Sequence, residues 1–489
     1  MNYPIILKTL SNVMWILALA FSTCAGVSAY YASNPLESNA MQVWVCVIAM
    51  SALMSFALYI PSRKAKKKLF RKEAMCIIGL AWLITSVVGA IPYILILDCP
   101  VASAFFESTS GITTTGASAF GNYSDFPQSL MYWRCLSHWI GGLGVVVFFV
   151  AILSYLGASG KMLYSSETST DSSEFEAAKL RSGVMSIVKL YLFISICCFG
   201  LFYYFGMSGF DSLCHTFSVV ATGGFSTREE SFVGYNNYGI YWTAIVFMFI
   251  GGTSFALMLM VAKLKIRKLF QNTEFWTYLL ITITAVIIVF ITLSYTTNKP
   301  IFETFTNAVF QVVSLITSTG LCNDNYQTWV PVSQIMLILL MAIGGCSGST
   351  AGGLKISRAI TAFRVCKREV EKSFRPKVVR NIFLNGKVVK DEDANDVLSY
   401  IVLYLFVIIF GIVVLALFEP KLSITGCITA IVAIVNNTGP GFAEIGCNSN
   451  YGVLNDFSQV LLSFLMIMGR LEIYAILVLF MPSLWKNFE

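Results

Sequence analysis

The chain has 489 residues, of which 56% are hydrophobic and 12% charged, with a net charge of +7. Soluble domains carry about 25% charged residues. A chain this apolar cannot cover itself in polar side chains, which excludes a string of soluble domains and leaves a polytopic membrane protein. The basic excess then fits loops held on the cytoplasmic side, with no nucleic-acid partner. Thirteen cysteines lie scattered, mostly within apolar runs and without metal-ligand spacing, as small fillers of helix interfaces. Two histidines, His138 and His215, are too few for a histidine metal site or a catalytic triad, and no phosphate-binding or dinucleotide fingerprint occurs. The spans offer no cluster of ionisable groups at one depth, so no enzyme is expected.

Apolar runs long enough to cross a bilayer lie near 13–33, 41–60, 74–97, 131–155, 184–206, 239–262, 275–296, 329–357, 398–418 and 457–482. They predict an all-α protein of about ten transmembrane helices, the first a span and not a cleaved signal. Twenty-five of the 33 basic residues fall in four loops: seven at 63–72, three at 161–181, four at 263–268 and eleven at 355–390. The alternate loops hold few, among them Arg134, Arg228, Lys299 and Lys421. This asymmetry places both termini and the four basic loops in the cytoplasm. The first basic loop also suits anionic membrane lipid.

After the third, fifth, seventh and ninth runs the chain does not pass straight to the next span. A shorter apolar stretch intervenes, too short to cross, and ends in a glycine-bearing motif. The chain therefore divides into two leading helices with a basic loop (1–72) and four repeats of helix, half-helix, motif and helix (73–183, 184–272, 273–396 and 397–489). The motifs contain Thr114-Thr115-Gly116, Ala221-Thr222-Gly223, Ser318-Thr319-Gly320 and Asn437-Thr438-Gly439. A half-helix that turns back at membrane depth exposes backbone carbonyls, which must line a watery cavity. Glycine permits the backbone angles that bring successive carbonyls to one axis. Four such strands form a ring of oxygens able to replace the hydration shell of a monovalent cation. The half-helices also turn the negative ends of their dipoles toward the cavity.

The eighth span is interrupted by Gly344-Gly345-Cys346-Ser347-Gly348-Ser349-Thr350-Ala351-Gly352-Gly353. Each glycine costs a helix about 1 kcal/mol against alanine, so this stretch is read as a flexible loop below the filter that gates it. Arg470 lies near the middle of the last span. A charge there is expected to face a pore or a partner. It is read as pore-facing, opposing cations at the constriction and holding the closed loop. A pair with Glu472 is disfavoured, because residues two apart point to different helix faces. His138 and His215 are read as packing residues. Glu107, Asp211 and Glu303 in the half-helices either steady helix starts or draw cations.

The fourfold plan, the stretch Ala221-Thr222-Gly223-Gly224-Phe225-Ser226-Thr227 and the loop from Gly344 to Lys355 resemble the Trk/Ktr/HKT superfamily of potassium transporters, closest to its TrkH/TrkG group. The resemblance covers nearly the whole chain. It implies a single-chain, pseudo-fourfold pore selective for potassium (and rubidium), a gating loop at 344–353 and a gate arginine at Arg470. It also implies a homodimer in the bacterial inner membrane, regulated by a TrkA-type cytoplasmic subunit that binds nucleotides. Relatives with serine at the first filter position tend to admit sodium. Here all four positions, Gly116, Gly223, Gly320 and Gly439, are taken to be glycine. The fourth motif departs from the family style in Asn436, Asn437 and Pro440. The rival expectation is a proton- or sodium-coupled potassium symporter with alternating access.

Overall fold

The structure, a computed structural model, describes residues 2–63, 71–123, 125–155, 173–378 and 380–482. Lys64, Lys66, Lys67, Lys68 and Lys161 of the basic loops lie outside the described residues. The two leading helices, α1 (Tyr3–Tyr30) and α2 (Glu37–Ser62), form a hairpin in which the Ser11 and Ser55 hydroxyls meet at 3.0 Å. The first repeat follows as α3 (Arg71–Leu97), the short α4 (Val101–Ile112) and α5 (Gln128–Tyr155). The second is α6 (Ser173–Tyr204), short α7 (Gly209–Val220), α8 (Tyr238–Gly251), α9 (Phe255–Ala262) and one turn, α10 (Arg267–Phe270). The third is α11 (Thr273–Thr296), short α12 (Ile301–Ile316), α13 (Pro331–Ile343) and α14 (Ile356–Phe374). The fourth is α15 (Asp391–Phe418), short α16 (Ile424–Val435), α17 (Asp456–Arg470) and α18 (Tyr474–Leu477).

Every expected half-helix is present. Their starts are set by the sequence in two ways. Pro100 and Pro300 stand immediately before α4 and α12, where a missing N–H costs nothing. Ser208 and Ser423 cap α7 and α16, accepting hydrogen bonds from the Asp211 and Gly426 amides.

Among the described residues, six helices are long and apolar enough to cross a membrane. Two further helix pairs are long and apolar enough only when each pair is taken together, and both are sharply bent, α8–α9 at 102° and α17–α18 at 115°. The sequence reading took 239–262 and 457–482 as continuous spans, and the structure corrects both. The chain turns at Gly252–Ser254 and at Leu471–Ile473, where the helical hydrogen-bond ladder stops. The eighth run breaks after Ile343, as expected, and Gly344 takes φ +74.

The long loop 355–390 is not a plain loop. Helix α14 buries Ile356, Ile360 and Val365 along one face. A hairpin of β1 (Ile382–Leu384) and β2 (Lys387–Val389) follows, paired with Leu384 opposite Lys387. Asn385 and Gly386, at φ +50 and +75, make its two-residue turn. The Asn385 side chain accepts the Thr273 N–H at 2.8 Å, which docks the hairpin on the start of α11.

Candidate functional site

All four half-helices end in one backbone device. The residue after each C-cap is left-handed: Thr114 (φ +52), Thr222 (+52), Ser318 (+54) and Asn437 (+52). Its amide bonds to the carbonyl three residues back, on Gly111, Val219, Leu315 and Ile434. The next amide bonds five residues back, Thr115 to Ser110, Gly223 to Ser218, Thr319 to Ser314 and Thr438 to Ala433. This cap stops the helix and turns the chain back on itself. A second left-handed residue then follows: Gly116 (φ +78), Gly224 (+95), Gly320 (+77) and Gly439 (+92).

The register of the second motif is therefore shifted by one from the sequence reading. Gly224, not Gly223, corresponds to Gly116, Gly320 and Gly439. Gly223 stands where the other repeats have threonine, and Ala221 is the helix C-cap, equivalent to Thr113, Thr317 and Asn436. The Thr-Gly pair misled because two glycines follow Thr222.

The strands touch in cyclic order. A Cβ on Gly116 would collide with the Gly223 carbonyl oxygen, one on Gly224 with that of Thr319, and one on Gly320 with that of Thr438. A Cβ on Gly439 would lie 2.5 Å from that of Thr115, which closes the circle. Glycine is required at each position twice, by the positive φ and by the neighbouring backbone. Asn437 adds a cross-link, donating to Thr115 Oγ1 at 2.9 Å and to the Met466 carbonyl at 2.9 Å. Asn436 takes over the part of Thr113 and Thr317. Each bonds the carbonyl four residues back, on Val432, Thr109 and Val313 respectively, at 2.7 Å. Of the departures in the fourth motif, Asn437 thus braces the ring, and Asn436 repeats the cap bond of its counterparts.

On one side of the ring is a cavity of about 130 Å³ that reaches Gly116, Gly224, Gly320 and Pro440. On the other side lies the loop 344–353. Thr350 Oγ1 donates to the Gly251 carbonyl at 3.0 Å and lies 3.3 Å from that of Val220. A Cβ on Gly352 would strike the Asn436 carbonyl. Cys346 N–H donates to Gly252, Gly348 accepts from Phe255, and Ser347 N–H donates to Glu274 at 2.6 Å. Lys355 Nζ donates to the Ala351 carbonyl. Gly344, Gly345, Ser349 and Ala351 are buried. Gly353 packs its backbone on Gly344 and takes φ +82. The loop is thus pinned between the break of α8–α9 and the ends of the half-helices.

Arg470 is the last residue of α17, at the break and not mid-helix, and is 6% exposed. Its Nη1 donates to the Thr350 carbonyl at 2.7 Å. Among the described residues, its Nε and Nη2 find no hydrogen-bond partner. Glu472 pairs instead with Arg358 of α14 at 2.7 Å. Glu472 and Ile473 both have positive φ, +59 and +58, a strained arrangement for non-glycine residues.

Sequence reasoning missed the support behind the first strand. Arg134 is not a loop residue. It lies in α5, fully buried, with Nη2 2.7 Å from Glu107. Glu107 also accepts the Ala119 N–H at 2.8 Å, and the guanidinium stacks on Tyr123 and Phe225. Glu107 therefore neither steadies a helix start nor faces the cavity as a free carboxylate. Asp211 and Glu303 do sit in first turns. His138 accepts the Phe225 N–H through Nε2 at 3.2 Å, so Nδ1 carries the proton given to the Gly111 carbonyl at 2.7 Å. His215 bridges the Asp211 carbonyl and Ser226 Oγ. Both histidines are structural ties, as expected.

A family model described as TrkH, cation transport protein, matches residues 37–487. The chain is 30% identical over 479 residues to the Trk system potassium uptake protein TrkG of Escherichia coli (strain K12), covering 97% of each chain. It is 30% identical over 440 residues to the Trk system potassium uptake protein TrkH of Vibrio parahaemolyticus, covering 88% of this chain and 89% of that one. The crystal structure of the potassium transporter TrkH from Vibrio parahaemolyticus matches the fold with a TM-score of 0.89. The two chains are 26% identical, and the match covers 99% of this chain and 100% of that one.

Proposed function

The chain belongs to the TrkH family of cation transport proteins, and from that premise we propose that it carries potassium into the cell through the ring of four strands. The observation that carries this reading is the closed backbone circuit of Gly116, Gly224, Gly320 and Gly439 against the carbonyls of Gly223, Thr319, Thr438 and Thr115. Carbonyl oxygens held by such a circuit replace water around a monovalent cation at no net charge, which suits potassium or rubidium. The cavity above the ring is the outer mouth. Loop 344–353 is the gate, and Arg470 holds it shut while presenting positive charge to the pathway. Both termini and the basic loops face the cytoplasm of a bacterial inner membrane, in keeping with the distribution of Lys and Arg.

Helix α14 leaves the gate directly, and Arg358 ties it to Glu472 beside Arg470. That linkage offers a TrkA-type nucleotide-binding subunit, acting on α14, a route to the gate. The chain works as a homodimer and catalyses no covalent chemistry. The test is rubidium uptake in cells that lack their own potassium uptake. Expression of the chain restores uptake, and Gly320→Asp, which sets a charged side chain against the Thr438 carbonyl, abolishes it. Uptake that survives Gly320→Asp with potassium preference intact refutes the assignment.

A further inference from the structure

The loop 344–353 is held in both of its halves, and Arg470 serves only one of them. Arg470 and Lys355 donate to the carbonyls of Thr350 and Ala351, in the second half. The first half rests on the α8–α9 break through Cys346 and Gly348, and on one buried carboxylate. Glu274, in the first turn of α11, is 7% exposed and accepts the Ser347 N–H through Oε1 at 2.6 Å. A carboxylate buried to that degree is costly unless it is hydrogen-bonded, and the loop backbone supplies the bond. Ser347 is also tied through its hydroxyl, which meets that of Ser357 in the first turn of α14.

The turn that carries Glu274 does not stand by itself. The first N–H groups of a helix have no partner within it. In α11 the Phe275 N–H goes to the Asn272 side chain. The Thr273 N–H, at 2.8 Å, and that of Glu274, at 3.4 Å, go to Asn385 Oδ1 in the turn of the β1–β2 hairpin. The hairpin in turn packs Ile382 with Val365 of α14 and Ala394 of α15. Helix α14 leads straight back to the loop. These contacts close a circuit of loop, Glu274, hairpin and α14 that does not pass through Arg470.

We propose that Glu274 is a positioning residue of the gate, latching the first half of loop 344–353, and that the β1–β2 hairpin sets this latch through Asn385. The effect on transport rests on the loop being the gate, whereas the tie itself does not. A hydrogen bond to a charged acceptor shifts an equilibrium by about ten- to hundredfold. Opening of the loop at Ser347 has to break that bond, while Arg470 governs the other half. Withdrawal of Asn385 uncaps Thr273 and lets the first turn of α11 fray, which takes Glu274 away from Ser347. Displacement of the hairpin is thus felt at the loop without any change at Arg470.

The experiment compares the full chain with Glu274→Ala, Glu274→Gln and Asn385→Gly. Glutamine keeps an acceptor oxygen, and glycine keeps the left-handed turn while losing the side chain that caps α11. Hydrogen–deuterium exchange in detergent follows peptides of the loop and of the start of α11, and rubidium uptake is measured in cells that lack their own potassium uptake. Glu274→Ala should quicken exchange of the loop about tenfold or more and raise uptake by the chain expressed alone. Glu274→Gln should do less of both, because a neutral bond is about half as strong. Asn385→Gly should quicken exchange at the start of α11 and in the loop. Loop protection that survives Glu274→Ala, or protection lost equally over the whole chain, overturns the latch. Loop exchange unchanged by Asn385→Gly overturns the part given to the hairpin. Faster loop exchange without a rise in uptake, where Arg470→Ala does raise it, overturns the gating role of Glu274. If neither Glu274→Ala nor Arg470→Ala changes uptake, the gate reading fails, and the exchange still decides the tie.

Discussion

The shifted register of the second strand makes a sharp prediction about two adjacent glycines. In Gly224→Ala the new Cβ sits on a backbone at φ +95, against the backbone carbonyl of Thr319. A left-handed L-residue costs about 1–2 kcal/mol, and forcing an extra methyl into packed structure costs about 1–3 kcal/mol. The obstructing atom is a carbonyl of the next strand, so relief moves the ring itself. In Gly223→Ala the backbone is not left-handed, and the Cβ strikes the His138 ring. That ring can yield by giving up its bonds to Gly111 and Phe225, each worth about 1 kcal/mol. Gly224→Ala should therefore lose rubidium uptake and the preference for potassium over sodium. Gly223→Ala should mainly lower the melting temperature in detergent. Combining Gly223→Ala with His138→Ala should cost less than the sum of the single variants, by about 1 kcal/mol or more. Uptake and ion competition on the single variants decide the matter. If Gly224→Ala keeps its selectivity while Gly223→Ala destroys it, the register argued here is wrong.

Arg470→Ala removes the bond to the Thr350 carbonyl and the positive charge at the break, so rubidium uptake by the chain expressed alone should rise. A fall would contradict the gate reading. Glu107→Ala leaves Arg134 as an unpaired buried charge, which costs about 3–5 kcal/mol. Thermal melting should show a large loss, partly recovered when Arg134→Leu is added. At the exposed start of α15, a hydrogen bond from Arg368, and then its charge, hold the Asp391 carboxyl below its ordinary value. A carboxylate lowered in the folded state stabilises it above the unfolded value. That contribution fades as pH falls through the folded one. Hydrogen-exchange protection of the 382–389 hairpin, measured against the intrinsic exchange rate at each pH, should fall only on acidification into and below the carboxylate range near pH 4. Arg368→Gln should remove that dependence.

Much of this architecture is written in local patterns. Proline or serine before each short apolar stretch, and a Thr-Gly motif after it, mark the half-helices, because helix starts and stops are decided within a few residues. Five glycines in ten residues break the eighth span for the same local reason. Arg470 is visible because a charge in an apolar run has no local explanation. Glu472 and Arg358, 114 residues apart, have no such signature, and their pairing exists only once α14 folds under the break of α17–α18.

What the sequence by itself determined is the repeat, the number of strands and the side chains available to them. The tertiary structure decided which glycine of Gly223-Gly224 faces the next strand. A helix cap counts residues from the last hydrogen bond of its helix, and packing sets where that bond falls. Tertiary contact also decided that α8–α9 and α17–α18 bend, since Gly251 packs near the Val220 carbonyl and Gly469 packs against that of Val435. It turned Arg134 from a loop charge into the buried partner of Glu107, because burial depends on what the rest of the chain places around a residue. Low charge content marks a membrane protein from sequence alone. Only the closed ring of backbone contacts gives that same neutrality the place in the proposed cation pathway that it holds.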